Sequence, residues 1–365
     1  MPNKNNDLFP EPRKEIKKMK SYQAPLENRR ELLRLDFNEN TLGPSPLVLE
    51  AIRKIELNEI SIYPEYNLLK SKLCEDYLKS EIIQKDEIGI FNGADAAINA
   101  IFNSFGENKD IFLTTDPTFG YYFPCANMRG MRTIKSTYEG DAFLFPFANF
   151  KKNILKYKPK LIFICNPNNP TGTVLSAEKI LELANLNKTS LLVIDELYEK
   201  FNGDSLLPKI DFKKFKNVVV IQSLSKTAGL AGLRIGFAFG NKEVIKYIIK
   251  VTGPYDVNSF AVRAAIAAFD DQEYIANYVL KIKDSRDWIQ EKFNSIKTRC
   301  HFSGGNYFLL WPNKSPEVLE EKMKKKGILI RSMKNKKDID DTVRVSIGTQ
   351  DQMEYFWRIY KEIDL

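Results

Sequence analysis

The chain has 365 residues, of which 43% are hydrophobic, and this is enough to give two domains a buried core each. The composition excludes a disordered chain and a small disulfide-stabilised scaffold. A net charge of +8 would permit a nucleic acid, a membrane surface or a phosphate-bearing molecule as partner. Because His301 is the only histidine, we expect no multi-histidine metal site, and acid–base chemistry should come from lysine, aspartate, glutamate or tyrosine.

Residues 1–34 are polar and poorly periodic, which predicts a partly flexible N-terminal arm that packs on a small C-terminal domain. The sequence shows no apolar leader segment and no run of about 18 apolar residues. Its four cysteines are scattered singly, which is typical of thiols in a reducing compartment. We therefore expect a cytoplasmic protein.

Helical patterns alternate with short, nearly continuous apolar runs between about residues 88 and 240. The helical windows lie at 94–105 and 177–184. The apolar runs lie at 111–113, 161–164, 191–194, 218–221 and 235–239. Continuous apolar runs are typical of strands that helices cover on both faces. The pattern predicts an α/β fold, with a mostly parallel central sheet in a large domain over residues 35–255.

The chain becomes more helical and more charged beyond this region. Two strands are expected at 306–311 and 342–347, around a lysine-rich helix at 315–326. Residues 256–365 are therefore predicted to form a smaller α+β domain.

Polar side chains follow three of the apolar runs, where parallel sheets bind their ligands. They are Asn166, Asp195, Tyr198, Ser223, Ser225 and Lys226. A lysine can form a Schiff base with an aldehyde cofactor, and an aspartate can keep the ring nitrogen of such a cofactor protonated. We therefore expect an amide, a carboxylate, a phenol and a lysine to meet at one edge of the sheet.

At these points the sequence resembles the pyridoxal-phosphate-dependent aminotransferases of fold type I, in particular the branch that contains histidinol-phosphate aminotransferase. The resemblance runs from about Tyr22 to Thr349. In chain order its motifs are Asn38-Glu39-Asn40, residues 43–46, Ile62-Tyr63-Pro64, residues 92–95, residues 116–119, the asparagine- and proline-rich turn at 166–172, Asp195 with Tyr198, residues 223–226, residues 229–236, Pro254-Tyr255, Arg331 and Arg344. The resemblance implies this fold type and pyridoxal 5'-phosphate as cofactor.

The resemblance implies contacts with the reactive end of the cofactor. Lys226 would hold the aldehyde carbon as a Schiff base and would later carry the proton of the reaction. Asp195 would keep the ring nitrogen protonated. Asn166 and Tyr198 would hydrogen-bond the phenolate oxygen.

Further residues would hold the rest of the cofactor. The family pattern places its phosphate on Gly93, Ala94, Asp95, Ser223, Ser225 and Arg234. Phe119 would stack on the ring, and Tyr122 is the alternative for this role. Tyr63 would reach the cofactor phosphate of a partner subunit, which predicts a homodimer whose sites are built from two chains.

Substrate recognition is expected from arginines, because a guanidinium grips a carboxylate at two points. The resemblance assigns Arg344 to the α-carboxylate and Arg331 to a second anion, with Tyr22 and Asn38 lining the pocket entrance. The implied reaction moves an α-amino group from histidinol phosphate or an aromatic amino acid to a 2-oxo acid such as 2-oxoglutarate. Asp256 replaces an asparagine of the family pattern and is expected to place a carboxylate near the pocket.

Two alternatives remain open from the sequence. A threonine-phosphate decarboxylase would share the lysine, the aspartate and the phosphate-binding groups. A nucleic-acid or membrane-surface binder is suggested by the lysine-rich stretches at 13–20 and 322–337. Because those stretches lack interleaved aromatic residues, we expect neither a nucleic acid nor a membrane as partner.

Overall fold

A computed structural model describes residues 10–19, 27–78 and 82–365. Tyr22, which was predicted at the pocket entrance, lies outside the described residues. Among the helices that the structure describes, none combines the length and the apolar character needed to cross a membrane.

A seven-stranded sheet forms the centre of the molecule. Its strands, in spatial order, are Ile88–Phe91, Gly236–Gly240, Val218–Ser223, Leu191–Asp195, Leu161–Cys165, Ile111–Asp116 and Arg132–Thr137. Only the strand Gly236–Gly240 runs antiparallel to its two neighbours. The mostly parallel sheet predicted from the apolar runs is therefore confirmed.

Helices bury both faces of this sheet. Along the strand Leu161–Cys165, Phe163 packs into the apolar core on one face, whereas Ile162 and Ile164 pack into the core on the other. The first core is covered by Gly93–Phe105, Tyr122–Met128 and Lys242–Ile249, and the second by Pro46–Arg53, Phe147–Tyr157, Ala177–Leu186 and Ser259–Asp270. Burial on both faces explains why the strands are apolar at consecutive positions.

A four-stranded antiparallel sheet forms a second layer. Its strands, in spatial order, are Arg331–Ser332, Val343–Ser346, Tyr307–Leu310 and Cys300–Phe302. The helices Gln272–Ser295, Pro316–Lys325 and Gln350–Asp364 share a core with it. The two strands that the sequence did not predict contain three and two residues, which is too short for a periodic pattern.

The remaining helices are short. They are Lys14–Lys18, Leu57–Ser61, Asn67–Lys72, Leu73–Tyr77, Lys85–Glu87, Glu199–Asn202, Leu207–Lys209 and Ala231–Leu233.

The described part of the N-terminal segment contacts both layers. Leu33–Arg34 pairs in parallel with Ile328–Leu329 of the smaller layer. Arg13 donates a hydrogen bond from Nη2 to the carbonyl oxygen of Met128, at 2.9 Å, in a helix of the larger layer.

The helix Ser259–Asp270 shares its core with the seven-stranded sheet, through residues such as Ala261 and Ala265. This helix lies after residue 256, where the sequence predicted that the smaller domain begins. We therefore propose that the smaller domain begins within the helix Gln272–Ser295.

Candidate active site

A cleft opens at the carboxyl ends of three adjacent parallel strands, Leu161–Cys165, Leu191–Asp195 and Val218–Ser223. It continues toward the four-stranded layer. The sequence-predicted residues that line it are Asn38, Ala94, Asp95, Phe119, Asp195, Tyr198, Ser223, Ser225, Lys226, Arg234, Arg331 and Arg344. Gly93 lies directly beside it, against Arg234.

Lys226 is the amine of the cleft. Its Nζ donates a hydrogen bond to the carbonyl oxygen of Phe37 at 2.9 Å. Burial lowers the pKa of Lys226 to about 8, and the charge of Arg344 acts in the same direction. More of this amine is therefore uncharged near neutral pH than in an ordinary lysine, which favours its role as a nucleophile.

Asp195 is a buried carboxylate with a tyrosine as its main partner. The hydroxyl of Tyr122 donates to Asp195 Oδ2 at 2.5 Å, and the amide of Leu197 donates to Oδ1 at 3.3 Å. Burial raises the pKa of Asp195 to about 6, and these two hydrogen bonds oppose the rise. No cation of the described residues forms an ion pair with Asp195, so a cationic ring nitrogen beside it would be stabilised.

Phe119 and Tyr122 occupy different positions relative to the cleft. Phe119 lines it, whereas Tyr122 is fully buried and meets the Phe119 ring edge-on, with centroids 5.5 Å apart. Only Phe119 therefore exposes a ring face to a ligand. Tyr122 instead acts on Asp195, which the sequence could not show, because the two residues are far apart in the chain.

The role predicted for Asn166 requires a correction. Its side chain donates to the carbonyl oxygen of Leu175 at 3.0 Å and accepts from the Leu175 amide at 2.7 Å, so it fixes the turn outside the cleft. Asn169 lines the cleft and donates to the hydroxyl of Tyr198 at 3.4 Å. Three asparagines stand within four positions of this turn, and their spacing did not show which one faces the ligand.

Tyr198 is held by two amides. Besides Asn169, Asn38 donates from Nδ2 to the Tyr198 hydroxyl at 3.1 Å. Asn38 is fully buried and has a left-handed backbone, with φ 56°. Burial raises the pKa of Tyr198, so its hydroxyl keeps its proton and can donate a hydrogen bond to an anionic oxygen.

An anion-binding cup lies at the N-terminus of the helix Gly93–Phe105. No side chain that the structure describes caps this terminus, so its first amides can bind a ligand. Arg234 lies over it and pairs with Asp95 at 3.0 Å. The hydroxyls of Ser223 and Ser225, which lie 2.9 Å apart, line the same cleft.

Gly93 makes this cup possible. Its φ is +80°, and a Cβ atom at this position would lie 2.4 Å from Arg234 Nη2. Any other residue would therefore displace the guanidinium from the cup.

Two arginines face the cleft from the four-stranded layer. Arg344 and Arg331 stand directly opposite each other on antiparallel strands. Arg344 is 9% exposed and donates from Nη1 to Asn169 Oδ1 at 2.6 Å and from Nη2 to the carbonyl oxygen of Asp36. Its Nε has no partner among the described residues, and no described carboxylate pairs with it. Because like charges opposite each other are destabilising, the pair favours a shared anion.

Two further residues lie away from the cleft of their own chain. Tyr63 is 68% exposed and stacks on Tyr255, with ring centroids 3.8 Å apart. Asp256 accepts a hydrogen bond from the Asn92 amide at 3.3 Å and does not line the cleft. The carboxylate of Asp256, which was expected near the pocket, therefore lies outside this chain's own cleft.

The family profile described as aminotransferase class I and II matches residues 30–359. The chain belongs to this aminotransferase family. A histidinol-phosphate aminotransferase of Caldanaerobacter subterraneus subsp. tengcongensis is 30% identical to it over 355 residues, covering 96% of this chain and 98% of the relative. That of Geotalea uraniireducens is 32% identical over 354 residues, covering 96% and 99%.

Solved structures show the same fold. Histidinol-phosphate aminotransferase from Sinorhizobium meliloti, in complex with pyridoxal-5'-phosphate, superposes with a TM-score of 0.87 at 24% identity and covers 98% of both chains. L-threonine-O-3-phosphate decarboxylase from Porphyromonas gingivalis superposes with a TM-score of 0.77 at 25% identity, covering 91% of this chain and 99% of the other. The predicted fold type and transaminase activity are confirmed, and pyridoxal 5'-phosphate is the cofactor of this aminotransferase.

The cleft fits this cofactor. The uncapped helix terminus with Arg234 suits the phosphate, buried Asp195 suits a protonated ring nitrogen, and the Lys226 amine suits the aldehyde. Each of the three polar ends of the cofactor would thus meet a group of complementary chemistry.

Proposed function

We propose that this aminotransferase transfers the amino group of histidinol phosphate to a 2-oxo acid such as 2-oxoglutarate. The observation that carries the proposal is the pair of Arg331 and Arg344, which face one cleft from opposing strands without an ion-paired carboxylate among the described residues. The curated relatives named above act on histidinol phosphate according to their names, and they match nearly the whole chain.

Bound pyridoxal phosphate supplies an aldehyde carbon that condenses with amines and a ring that withdraws electrons from the substrate Cα. With this cofactor bound, Lys226 would hold its aldehyde carbon and, once the substrate amine takes that place, would move a proton to and from the substrate Cα. The lowered pKa of Lys226 suits it to this task, because the amine can both accept and return a proton near neutral pH.

Four side chains would contact the cofactor ring. Asp195 would face the ring nitrogen and favour its protonated form, and Tyr122 fixes the orientation of that carboxylate. Tyr198 and Asn169 would donate hydrogen bonds to the phenolate oxygen, so Asn169 would take the role predicted for Asn166. Phe119 would stack on the ring.

The cup described above would hold the phosphate of the cofactor. The amides of Gly93, Ala94 and Asp95 would donate to it, and Ser223, Ser225 and Arg234 would complete its shell. Asp95 orients the Arg234 guanidinium through their ion pair.

The substrate anion is bound by the two arginines. Arg344 binds the carboxylate of the 2-oxo acid, and Arg331 acts with it on the phosphate of the donor. Asn38 lines the same space, and Tyr22 is proposed to stand at its entrance. Because a bidentate guanidinium holds an anion in one orientation, these contacts place the substrate Cα next to Lys226.

We further propose a cytoplasmic homodimer in which Tyr63 donates to the cofactor phosphate of the partner subunit. Tyr63 is exposed and lies outside its own cleft, as a residue that serves a second subunit must.

A donor panel tests the function. Histidinol phosphate, phenylalanine and threonine phosphate are each incubated with 2-oxoglutarate, and glutamate and carbon dioxide are measured. The proposal expects glutamate with histidinol phosphate as the best donor, and a loss of that preference in Arg331→Ala. Carbon dioxide released from threonine phosphate without glutamate would identify a decarboxylase instead. A preference for phenylalanine would identify an aromatic aminotransferase.

A further inference from the structure

Lys336 lies in a loop whose two ends are buried. Met333 and Ile339, which are 5% and 0% exposed, pack in a small apolar cluster with Leu309. The Lys336 amide donates to the carbonyl oxygen of Met333 at 2.9 Å, and the Ile339 amide donates to that of Lys336 at 3.2 Å. These contacts fix the backbone from which the Lys336 side chain extends.

The three lysines of this loop differ in what they contact. Lys334 forms an ion pair with Glu317, and Lys337 donates to Thr137 Oγ1 at 3.1 Å; both lysines are exposed. Lys336 is half-buried and lines the cleft. The loop therefore directs one of its three charges inward.

The ammonium of Lys336 has no ion pair or hydrogen bond with any side chain that the structure describes. A Cβ atom built on Gly120 would lie 3.4 Å from its Nζ, so the ammonium stands against the wall of the cleft. Asp116 is the carboxylate whose charge acts on it most, but Asp116 already pairs with Lys135 at 3.4 Å. The charge of Lys336 is thus available to a ligand.

Besides Lys226 and Arg234, which are assigned to the cofactor, three cationic side chains face this volume, namely Arg331, Lys336 and Arg344. Within the described residues none of them forms an ion pair with a carboxylate, although Glu320 acts on Arg331 from a longer distance. Burial lowers the pKa of Lys336, and the charges of both arginines lower it further. A ligand with more than one negative charge would relieve this repulsion.

We propose that Lys336 makes this cleft select a phosphate monoester over a carboxylate as the substrate's anionic group. A carboxylate carries one charge, whereas a phosphate monoester carries between about −1.5 and −2 at neutral pH. Arg331 and Arg344 suffice to bind a carboxylate. Lys336 pairs with the additional negative charge of a phosphate monoester. Histidinol phosphate contains no carboxylate, so its phosphate is the anion that these three cations meet. The inference rests on the proposed function for the identity of the donor.

The test compares Lys336→Gln with Lys337→Gln, which removes the same charge from the same loop outside the cleft. The holoenzyme is mixed with histidinol phosphate or phenylalanine without a 2-oxo acid, and the loss of the visible absorption of the lysine-bound cofactor is followed in a single turnover. Lys336→Gln should raise the half-saturating concentration of histidinol phosphate about tenfold or more, because a hydrogen bond between charged groups is lost. The value for phenylalanine should stay within about twofold, and Lys337→Gln should change neither.

Equal losses for both donors, or an equal loss in Lys337→Gln, would overturn the role of Lys336. A second measurement does not depend on the donor: inorganic phosphate is titrated calorimetrically into the holoenzyme, whose cofactor cup is already filled. It should bind more weakly to Lys336→Gln than to Lys337→Gln. If the wild type does not use histidinol phosphate, the proposed function fails. The titration with inorganic phosphate then tests the role of Lys336 by itself. Unchanged phosphate affinity in Lys336→Gln would then overturn the inference.

Discussion

The hydrogen bond from Tyr122 to Asp195 holds the carboxylate that we propose faces the ring nitrogen of the cofactor. The hydroxyl lies 2.5 Å from Oδ2, and both side chains are buried. Removing the hydroxyl leaves one carboxylate oxygen without a donor in a site of low polarity, which favours the protonated carboxyl. Neutral Asp195 would no longer hold a cationic ring nitrogen.

We therefore predict that Tyr122→Phe releases the cofactor more readily and turns over more slowly. The dissociation constant of pyridoxal phosphate, measured by dialysis and absorbance, should rise by roughly tenfold, and kcat should fall by a similar factor. Tyr138→Phe is the matched control, because Tyr138 is also buried but donates to Thr115 at 3.1 Å, away from Asp195. The same effects in both variants would indicate a general packing defect instead.

The lowered pKa of Lys226 gives a prediction for the loading of the cofactor. Protonated lysine cannot attack an aldehyde, so the rate of pyridoxal phosphate capture by the apoenzyme follows the neutral amine. This rate should rise with pH and reach half of its increase near pH 8, the value to which burial lowers the pKa. Stopped-flow absorbance between pH 6 and about 11 measures it, so the range extends past the ordinary pKa of lysine. A midpoint above about 10, the ordinary value for lysine, would contradict the described environment.

The individual site residues differed in how far the sequence could define them. Asp195 directly follows one apolar run, and Lys226 lies in the turn that follows the strand Val218–Ser223, so their positions near strand ends follow from the pattern alone. Asn166 and Asn169 share one turn, and only the folded backbone shows that Asn169 faces the cleft. The contact of Tyr122 with Asp195 joins two elements and leaves no signal in either segment.

The short helix Glu199–Asn202 follows Tyr198 and carries an unusually buried carboxyl. Glu199 is 5% exposed, and its partners are the amide and the ammonium of Lys200, the latter at 3.9 Å. Burial raises the pKa of Glu199 to about 8. The neighbouring Glu196 is better satisfied, with hydrogen bonds from Ser205 and Leu206 at 2.7 and 2.6 Å.

We predict that Glu199 makes the folded protein less stable as the pH rises. Between about pH 4.5, its ordinary pKa, and 8, the folded state retains a proton that the unfolded chain has released, so the free energy of unfolding falls across this window. Urea unfolding at pH 5 and pH 8 should show a loss of roughly 1–3 kcal/mol from this group in the wild type. Glu199→Gln should show a smaller loss. An unchanged pH dependence in the variant would contradict the buried, protonated Glu199.

The long elements were predictable because their patterns extend over many residues. The helix Gly93–Phe105 and five of the seven central strands coincide with the windows expected from apolar periodicity, whereas Ile88–Phe91 and Arg132–Thr137 were not predicted. The packing of Ser259–Asp270 on the large sheet could not be deduced, since an alanine-rich helix suits either domain. The opposition of Arg331 and Arg344 depends on strand register, which the two-residue strand at Arg331 does not encode locally.

Two segments of the molecule expose large apolar side chains that a monomer would leave in water, and the stacking of Tyr63 on Tyr255 joins these segments. They come from residues 47–68 and 255–260 and include Leu47, Leu49, Leu57, Ile60, Ile62, Tyr63, Leu68, Tyr255 and Phe260. Contiguous exposed apolar residues mark interaction surfaces. Their position beside Tyr63 supports the proposal of a homodimer.

We predict that Ile60→Lys separates the subunits and lowers activity. Ile60 is 60% exposed, so the substitution should leave the fold of each chain intact while placing a charge in the interface. Light scattering should show a shift toward the monomer, with kcat reduced by about tenfold or more because Tyr63 no longer reaches the partner's cofactor. Leu155→Lys, at a site 56% exposed on the helix Phe147–Tyr157, should remain dimeric and active. A fully active monomer would contradict the shared site.

The most direct test of the proposed reaction follows the amino nitrogen itself. Histidinol phosphate labelled with heavy nitrogen is incubated with 2-oxoglutarate and the holoenzyme, and the glutamate formed is examined by mass spectrometry. Amino transfer predicts one labelled glutamate for each histidinol phosphate consumed, and no such product with Lys226→Ala. Unlabelled glutamate, or donor consumption without glutamate, would contradict the proposed transfer.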